Sequence, residues 1–98
     1  IAPVQAAVFP LVKNKPEIVK KAREIYENLK KYWFVQYDET GAIGRRYRRQ
    51  DEIGTPFCVT IDFDTLENNT ITVRDRDTME QEKINIAEIE EFLRKRLA

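Results

Sequence analysis

The sequence predicts an α/β fold, a three-layer α/β/α domain around a five-stranded mixed sheet in the order 2-1-3-4-5 with strand 4 antiparallel. Three observations carry this expectation. Short apolar runs alternate with amphipathic helical stretches in the order β-α-β-α-β-β-β-α. The two helical crossovers make the first three strands parallel, each connection right-handed. Short turns after Phe63 and Arg76 fold the last strands back as hairpins. Helices on both faces require the winding to reverse between the first and third strands, which seats strand 1 beside strand 3.

Each element has a local reason. Val4 to Phe9 is an apolar run ended by Pro10, as suits a buried strand. Pro16 fits the first position of a helix, and Glu17 its positive end. Ile18, Ala22, Ile25, Tyr26, Leu29 and Trp33 then fall on one stripe, with Lys30 and Lys31 placed to complement the dipole near the helix end. Phe34 to Tyr37 reads as the second strand and Asp38 to Gly41 as a turn. A second helix runs from Ile43 to Ile53 and stops at Gly54, with Pro56 beyond. Phe57, Val59, Ile61 and Phe63 alternate with Cys58, Thr60 and Asp62, the period of a strand. Asn68-Asn69 is a turn signal, Thr70 to Arg74 alternates again, and Met79 to Ile84 reads as the last strand. Asn85 with Glu88 resembles a capping box before a final helix that buries Ile89, Phe92, Leu93 and Leu97.

Composition excludes more than it proposes. The 98 residues suit one domain, 1–98, with 17 basic and 17 acidic side chains, so bulk charge does not announce a nucleic-acid partner. There is no histidine, which removes the usual general base and metal ligand. The single cysteine, Cys58, cannot close an internal disulfide, as expected of a cytoplasmic protein. No apolar run approaches ~20 residues, so no membrane helix is expected. The chain starts at Ile1 without a starter methionine or signal peptide, and is expected to be a fragment of something longer.

The charge is concentrated locally. Arg45, Arg46, Arg48 and Arg49 lie within five positions after a glycine-bearing turn. Arginine's planar fork of donors matches phosphate oxygens. On a helical projection Ile43, Tyr47 and Gln50 share one face, Arg45, Arg48, Arg49 and Glu52 the opposite one, and Arg46 the flank. The plain alternative is a solvated face on which Arg48 pairs with Glu52. In the expected topology the carboxyl ends of the strands gather Phe9 to Lys13, Tyr37 to Arg46 and Asp62 to Asp64, where open α/β sheets collect ligands. Phe9 or Tyr37 there could stack on a base, against the ordinary reading of core packing.

Catalytic readings are thin. Asp62 with Asp64, or Asp75 with Asp77, offers oxygen ligands for a cation, but Arg74 and Arg76 favour ion pairs in a turn. Cys58 sits mid-strand with no histidine to activate it and reads as a small core residue. Gly41-Ala42-Ile43-Gly44 lacks the spacing of a dinucleotide or Walker loop.

The strings RRYRRQDEIGTPF and VRDRDTM, within the blocks Ile43 to Asp64 and Thr72 to Gln81, resemble the C-terminal anticodon-binding domain of glycyl-tRNA synthetases of the homodimeric class II type. Ala2-Pro3 and Val8 to Lys13 resemble the opening of that domain, so the likeness spans the chain. Ala42 departs from the serine frequent in that family, leaving the second helix to a weaker cap or to Thr40. The resemblance implies a class II synthetase anticodon-binding fold and recognition of the anticodon loop of glycine tRNA, whose second and third anticodon bases are cytosines. It implies a homodimeric parent ligase that joins glycine to tRNA with ATP and magnesium on a separate catalytic domain. That domain is absent here, so no cofactor is expected in this one.

Site roles follow as expectations. Arg45, Arg46 and Arg49 would meet loop phosphates or the acceptor edges of the cytosines, and Asp38 or Asp64 would accept from a cytosine amino group. Tyr37 or Phe9 would stack on a splayed base, and Lys13 and Arg48 would act as outer electrostatic contacts. Arg74, Asp75 and Arg76 fall at the opposite end of the sheet, in a turn network or against the rest of the synthetase. Two rivals stand beside this reading. One is a protein-interaction module of the same fold, as in a mitochondrial DNA polymerase accessory subunit. The other is a small standalone enzyme, disfavoured by the missing histidine.

Overall fold

In the computed structural model, which describes residues 4–97, five strands pair in the order β2-β1-β3-β4-β5. They are β1 (Ala6–Pro10), β2 (Val35–Tyr37), β3 (Phe57–Ile61), β4 (Thr70–Asp75) and β5 (Gln81–Asn85). β1 is parallel to both β2 and β3, with Val8 opposite Tyr37 on one side and Val59 on the other. β4 and β5 add antiparallel to β3 in turn. The helices are α1 (Pro16–Leu29), α2 (Ile43–Ile53), α3 (Phe63–Asn68) and α4 (Ile89–Leu97). Strand order and directions are those the crossover and hairpin pattern requires. Ala2 and Pro3 lie outside the described residues.

The two faces of the sheet are unequal. Every residue of β1 and β3 is buried, as befits strands covered on both sides. One face packs Ala6, Val8, Phe57, Val59, Ile61, Ile71 and Val73 against Ile18, Ala22, Ile25 and Leu29 of α1 and Ile89 and Leu93 of α4. Each fully buried aliphatic side chain there is worth about 1.5–3 kcal/mol of transfer free energy. The other face is covered by α2 and is much more polar. Its apolar part is Ala7, Phe9 and Cys58, with Ile43 and Tyr47 packed on them. Phe9 and Tyr47 meet edge to face at 5.4 Å, and the Tyr47 hydroxyl shares a 2.5 Å hydrogen bond with Thr60 Oγ1. Gln50 accepts from the buried Thr55 hydroxyl at 2.6 Å and donates to Gln36. Arg74 lies 4.9 Å over the Tyr47 ring and donates from Nη1 and Nη2 to the two oxygens of the Asp51 carboxylate.

Five local expectations are corrected. The turn expected after β3 is a helix, α3, because the Asp62 side chain accepts from the Thr65 backbone N–H while the Thr65 hydroxyl accepts from the Asp62 N–H. Phe63 is therefore the first residue of that helix, half exposed at 51 %, rather than the end of a strand. Asn69 closes α3 in the left-handed region, which asparagine tolerates. β5 starts at Gln81, not Met79, because Met79 has φ 63° and turns the chain, its amide bonded to the Asp75 carbonyl. The last helix opens with a 3-10 turn at Ile86–Glu88, and Asn85 accepts from the Ala87 N–H without the reciprocal bond from Glu88. α1 ends at Leu29, so Lys30 is its cap residue and Trp33 packs from the loop beyond. Finally, β1 runs one residue past Phe9, because Pro10 pairs opposite Ile61 at the strand's end, where no further N–H is needed.

Arg74, Asp75 and Arg76 do sit at the amino ends of the parallel strands, where Asp75 pairs with Phe57. They form a turn network there: Asp75 accepts from the Asp77 and Thr78 amides, and Arg76 donates to the Asp51 carbonyl. Gly54 caps α2 with φ 84°, a conformation that favours glycine. No described helix is long and apolar enough to cross a membrane.

Two measurements probe this packing. Asp51→Ala strands the Arg74 guanidinium, only 9 % exposed, and is expected to lower unfolding free energy by ~1–3 kcal/mol in urea titrations. Burial pushes the Cys58 thiol up to about 12. The native chain should therefore resist iodoacetamide at pH 8 and react once denatured. The thiol keeps its proton in the fold after the unfolded chain has lost it. That contribution is complete below the unfolded thiol's pKa of about 8.5 and is lost as pH rises towards 12.

Candidate nucleic-acid interface

The carboxyl ends of β1, β2 and β3 meet the β1–α1 loop, the β2–α2 loop and the first turn of α2. One side chain organises this edge. Arg46 belongs to the first turns of α2, three residues after Ile43 and four before Gln50, so its side chain points at the sheet and is 2 % exposed. Its guanidinium donates to the carbonyl of Pro10, to those of Gly41 at 3.2 Å and Asp38 at 3.4 Å, and reaches that of Leu11 at 3.5 Å. Burial pulls its pKa down, and the nearby Asp38 charge works against that pull. The carbonyls belong to the last residue of β1, the residue after it, and the β2–α2 loop. One cation thus ties both loops to α2.

The β2–α2 loop has its own brace. The Asp38 carboxylate accepts from the Thr40 amide at 2.8 Å and from Arg49 Nε and Nη2 at 3.1 and 2.8 Å. Arg49 Nη2 also donates to the Thr40 carbonyl at 2.7 Å. Burial acts to raise the Asp38 carboxyl, but the Thr40 N–H and the Arg49 guanidinium outweigh it and hold the group below its ordinary value. Gly41 turns the chain into α2 with φ 73°, in the region glycine favours. No side chain caps α2: Ala42 has none to offer, and Thr40 does not supply one.

The expected site residues therefore separate. Lys13, Arg45 and Arg48 are exposed, and neither arginine's side chain has a hydrogen bond or ion pair among the described residues. The alternative pair of Arg48 with Glu52 does not form among them. Asp38 and Arg49 are present at the edge as a mutual pair. Arg46 is not on the flank: it is an internal clamp, turned away from any phosphate. Phe9 is fully buried at 0 % exposure beneath Tyr47, so its ring cannot stack on a base. Tyr37 is half-buried, with Arg23 4.4 Å over its ring and its hydroxyl donating to Glu39 at 2.7 Å. Burial, then that bond, push its phenol far up. Asp64 lies in the first turn of α3 and is taken up by Lys83 of β5, two strands beyond β3.

A groove of about 340 Å³ remains at this edge, between Leu11–Asn14 on one side and Gly41–Ile43 on the other, with Arg46 in its wall. Sequence reasoning placed Leu11, Thr40 and Gly41 at this edge but gave them no contact of their own to make. Their contribution is mainly backbone carbonyls and amides, which no side-chain pattern announces. The inward aim of Arg46 was available from its spacing to Ile43 and Gln50, and its charge obscured it.

The chain is 61 % identical to a glycine–tRNA ligase of Thermobifida fusca over 98 residues, all of this chain and 21 % of that one. It is 56 % identical over 97 residues to the glycine–tRNA ligase of Streptomyces coelicolor, covering 99 % of this chain and 21 % of the relative. The ligase of Clostridium perfringens is also 56 % identical over 97 residues, covering 99 % of this chain and 20 % of its own. The chain thus spans about a fifth of the length of the relatives it matches. Among solved structures, the RNA binding domain of threonyl-tRNA synthetase from Cryptosporidium parvum superposes with a TM-score of 0.83 at 20 % identity, over 95 % of this chain and 23 % of that chain, a likeness of fold. Residues 5–96 match the family described as "Anticodon binding domain", and the chain belongs to that family.

Proposed function

We propose that this chain is the part of a glycine–tRNA ligase that grips the anticodon loop of glycine tRNA. The observation that carries the reading is a pair of exposed arginines on α2, Arg45 and Arg48, whose side chains have no partner among the described residues, on the helix whose first turn walls the braced groove, in a chain similar along its whole length to such ligases. Arg45, Arg48 and Lys13 attract loop phosphates. The Asp38–Arg49 pair supplies base-reading polarity: a carboxylate lone pair for a cytosine amino group, and guanidinium N–H groups for the acceptor edge. With Phe9 buried and Tyr37 covered by Arg23, stacking falls to the exposed guanidinium planes. The groove between the two loops is the place for a splayed base. Arg46 touches no RNA in this scheme and fixes the groove's walls.

Aminoacylation, with its ATP and magnesium, is assigned to the remainder of the ligase, which we take to be a homodimer in the cytoplasm. The catalytic domain of the same chain would be this domain's standing partner. The high identity to ligases disfavours the rival of a protein-interaction module.

Titrating the 98-residue chain with a glycine anticodon stem-loop, and with a control in which both cytosines are replaced, tests the reading. Backbone amide shifts are expected around Leu11–Asn14 and Asp38–Arg49, weaker with the control. Equal shifts with both loops would leave only unspecific phosphate attraction. The Arg45→Ala/Arg48→Ala double variant is expected to melt like the parent and to reduce the salt dependence of binding by about one phosphate contact per arginine. Undiminished binding by that variant would remove both arginines from the interface.

A further inference from the structure

The outer face of α1 carries a second feature that the anticodon edge does not use. A groove of about 860 Å³ runs along it, floored by Pro16, Val19 and aliphatic stems, with Lys13, Lys20, Arg23 and Lys31 on its walls. Two acids also line it, each in an ion pair: Glu24 with Lys21 at 3.7 Å and Glu27 with Lys30 at 2.9 Å. None of the four groove cations has a carboxylate partner among the described residues. In a chain of zero net charge, that makes a local positive stripe. Along α1 from Lys20 to Leu29 it extends on the order of 14 Å at the rise of a helix, and Lys31 follows just beyond. It is also continuous with the edge described above, because Lys13 lines both this groove and the smaller one.

We infer that the α1 face holds the sugar–phosphate backbone of the duplex stem that carries the anticodon loop, while the loop itself is read at the strand ends. The inference rests on the RNA-binding reading of the edge and names a further surface for the same partner. The chemistry fits a duplex more than a single strand. The face is long, open and shallow, and offers cations on flexible stems without aromatic platforms or convergent base-reading groups. Double-stranded RNA presents a wide, shallow groove bordered by phosphates and is recognised mostly by shape and charge. Arg23 is held in place for such a contact, since its guanidinium lies 4.4 Å over the Tyr37 ring. The ion pairs matter as well, because Lys21 and Lys30 offset the two lining carboxylates that would otherwise repel the backbone.

The test compares the parent chain with Lys20→Gln/Arg23→Gln/Lys31→Gln on two probes, the glycine anticodon stem-loop and the same loop as an unpaired strand. Because Arg23 also packs on Tyr37, Lys20→Gln/Lys31→Gln serves as a second variant that leaves that stack intact. The triple variant is expected to bind the stem-loop on the order of tenfold or more weakly at low salt, its salt slope reduced by roughly one unit per residue, with cytosine preference unchanged and the unpaired strand bound as by the parent. The double variant should show about two thirds of the change in slope. Stem-loop binding by both variants with the parent's affinity and slope would overturn the inference while leaving the anticodon reading in place. An equal loss on both probes would likewise overturn it, since the face would then serve the loop and not the stem. If the parent chain bound neither probe, the anticodon reading and this inference would fall together.

Discussion

Everything at the carboxyl edge depends on a buried guanidinium. Arg46 comes from α2, and its N–H groups point at carbonyls of β1's last residue, of the residue after it and of the β2–α2 loop. Taking an arginine out of water is costly unless its donors are met. Here they are met by main-chain oxygens at the end of β1 and in the β2–α2 loop. The geometry of two loops thus follows from the position of one helix. Lysine's compact ammonium has neither the planar fork nor the number of donors to do the same.

The unequal faces of the sheet make sense in this light. The α1–α4 face is a conventional aliphatic core and supplies most of the burial. The α2 face holds its helix through Tyr47–Thr60, Gln50–Thr55 and Arg74–Asp51, with little apolar contact beyond Ile43 and Tyr47. A helix held by directed hydrogen bonds is fixed in register as well as in place, which suits an element that positions binding groups at its amino end. Asp51 and Arg74 anchor its far end and Arg46 its near one.

Much of the fold was legible because topology rules act on coarse features. The number of strands, the crossovers and the polar turns were enough to fix the order 2-1-3-4-5. α3 was not legible, because the period-two pattern ran on through Phe63 while the decision lay in a capping box between Asp62 and Thr65. Met79 was read as strand on its apolar character, yet it sits in the left-handed region at a turn. At the site, residue type misled where direction decided. Arg46 and Phe9 had the right chemistry for RNA and the wrong exposure. Arg45 and Arg48, which have the plainest helical-wheel position, are exposed as their place on the outer face requires. Tyr37 illustrates the remaining gap: no local pattern revealed that Arg23, a helix away, would cover it.

The central claim is that Arg46 organises both loops of the binding edge. Amide hydrogen exchange of Arg46→Lys tests it directly. The account requires faster exchange at Leu11–Asn14 and at Asp38–Ala42, with protection in β3 and β4 kept at the level of the parent chain. Wild-type exchange in both loops would contradict it, since the groove walls would then hold without the clamp.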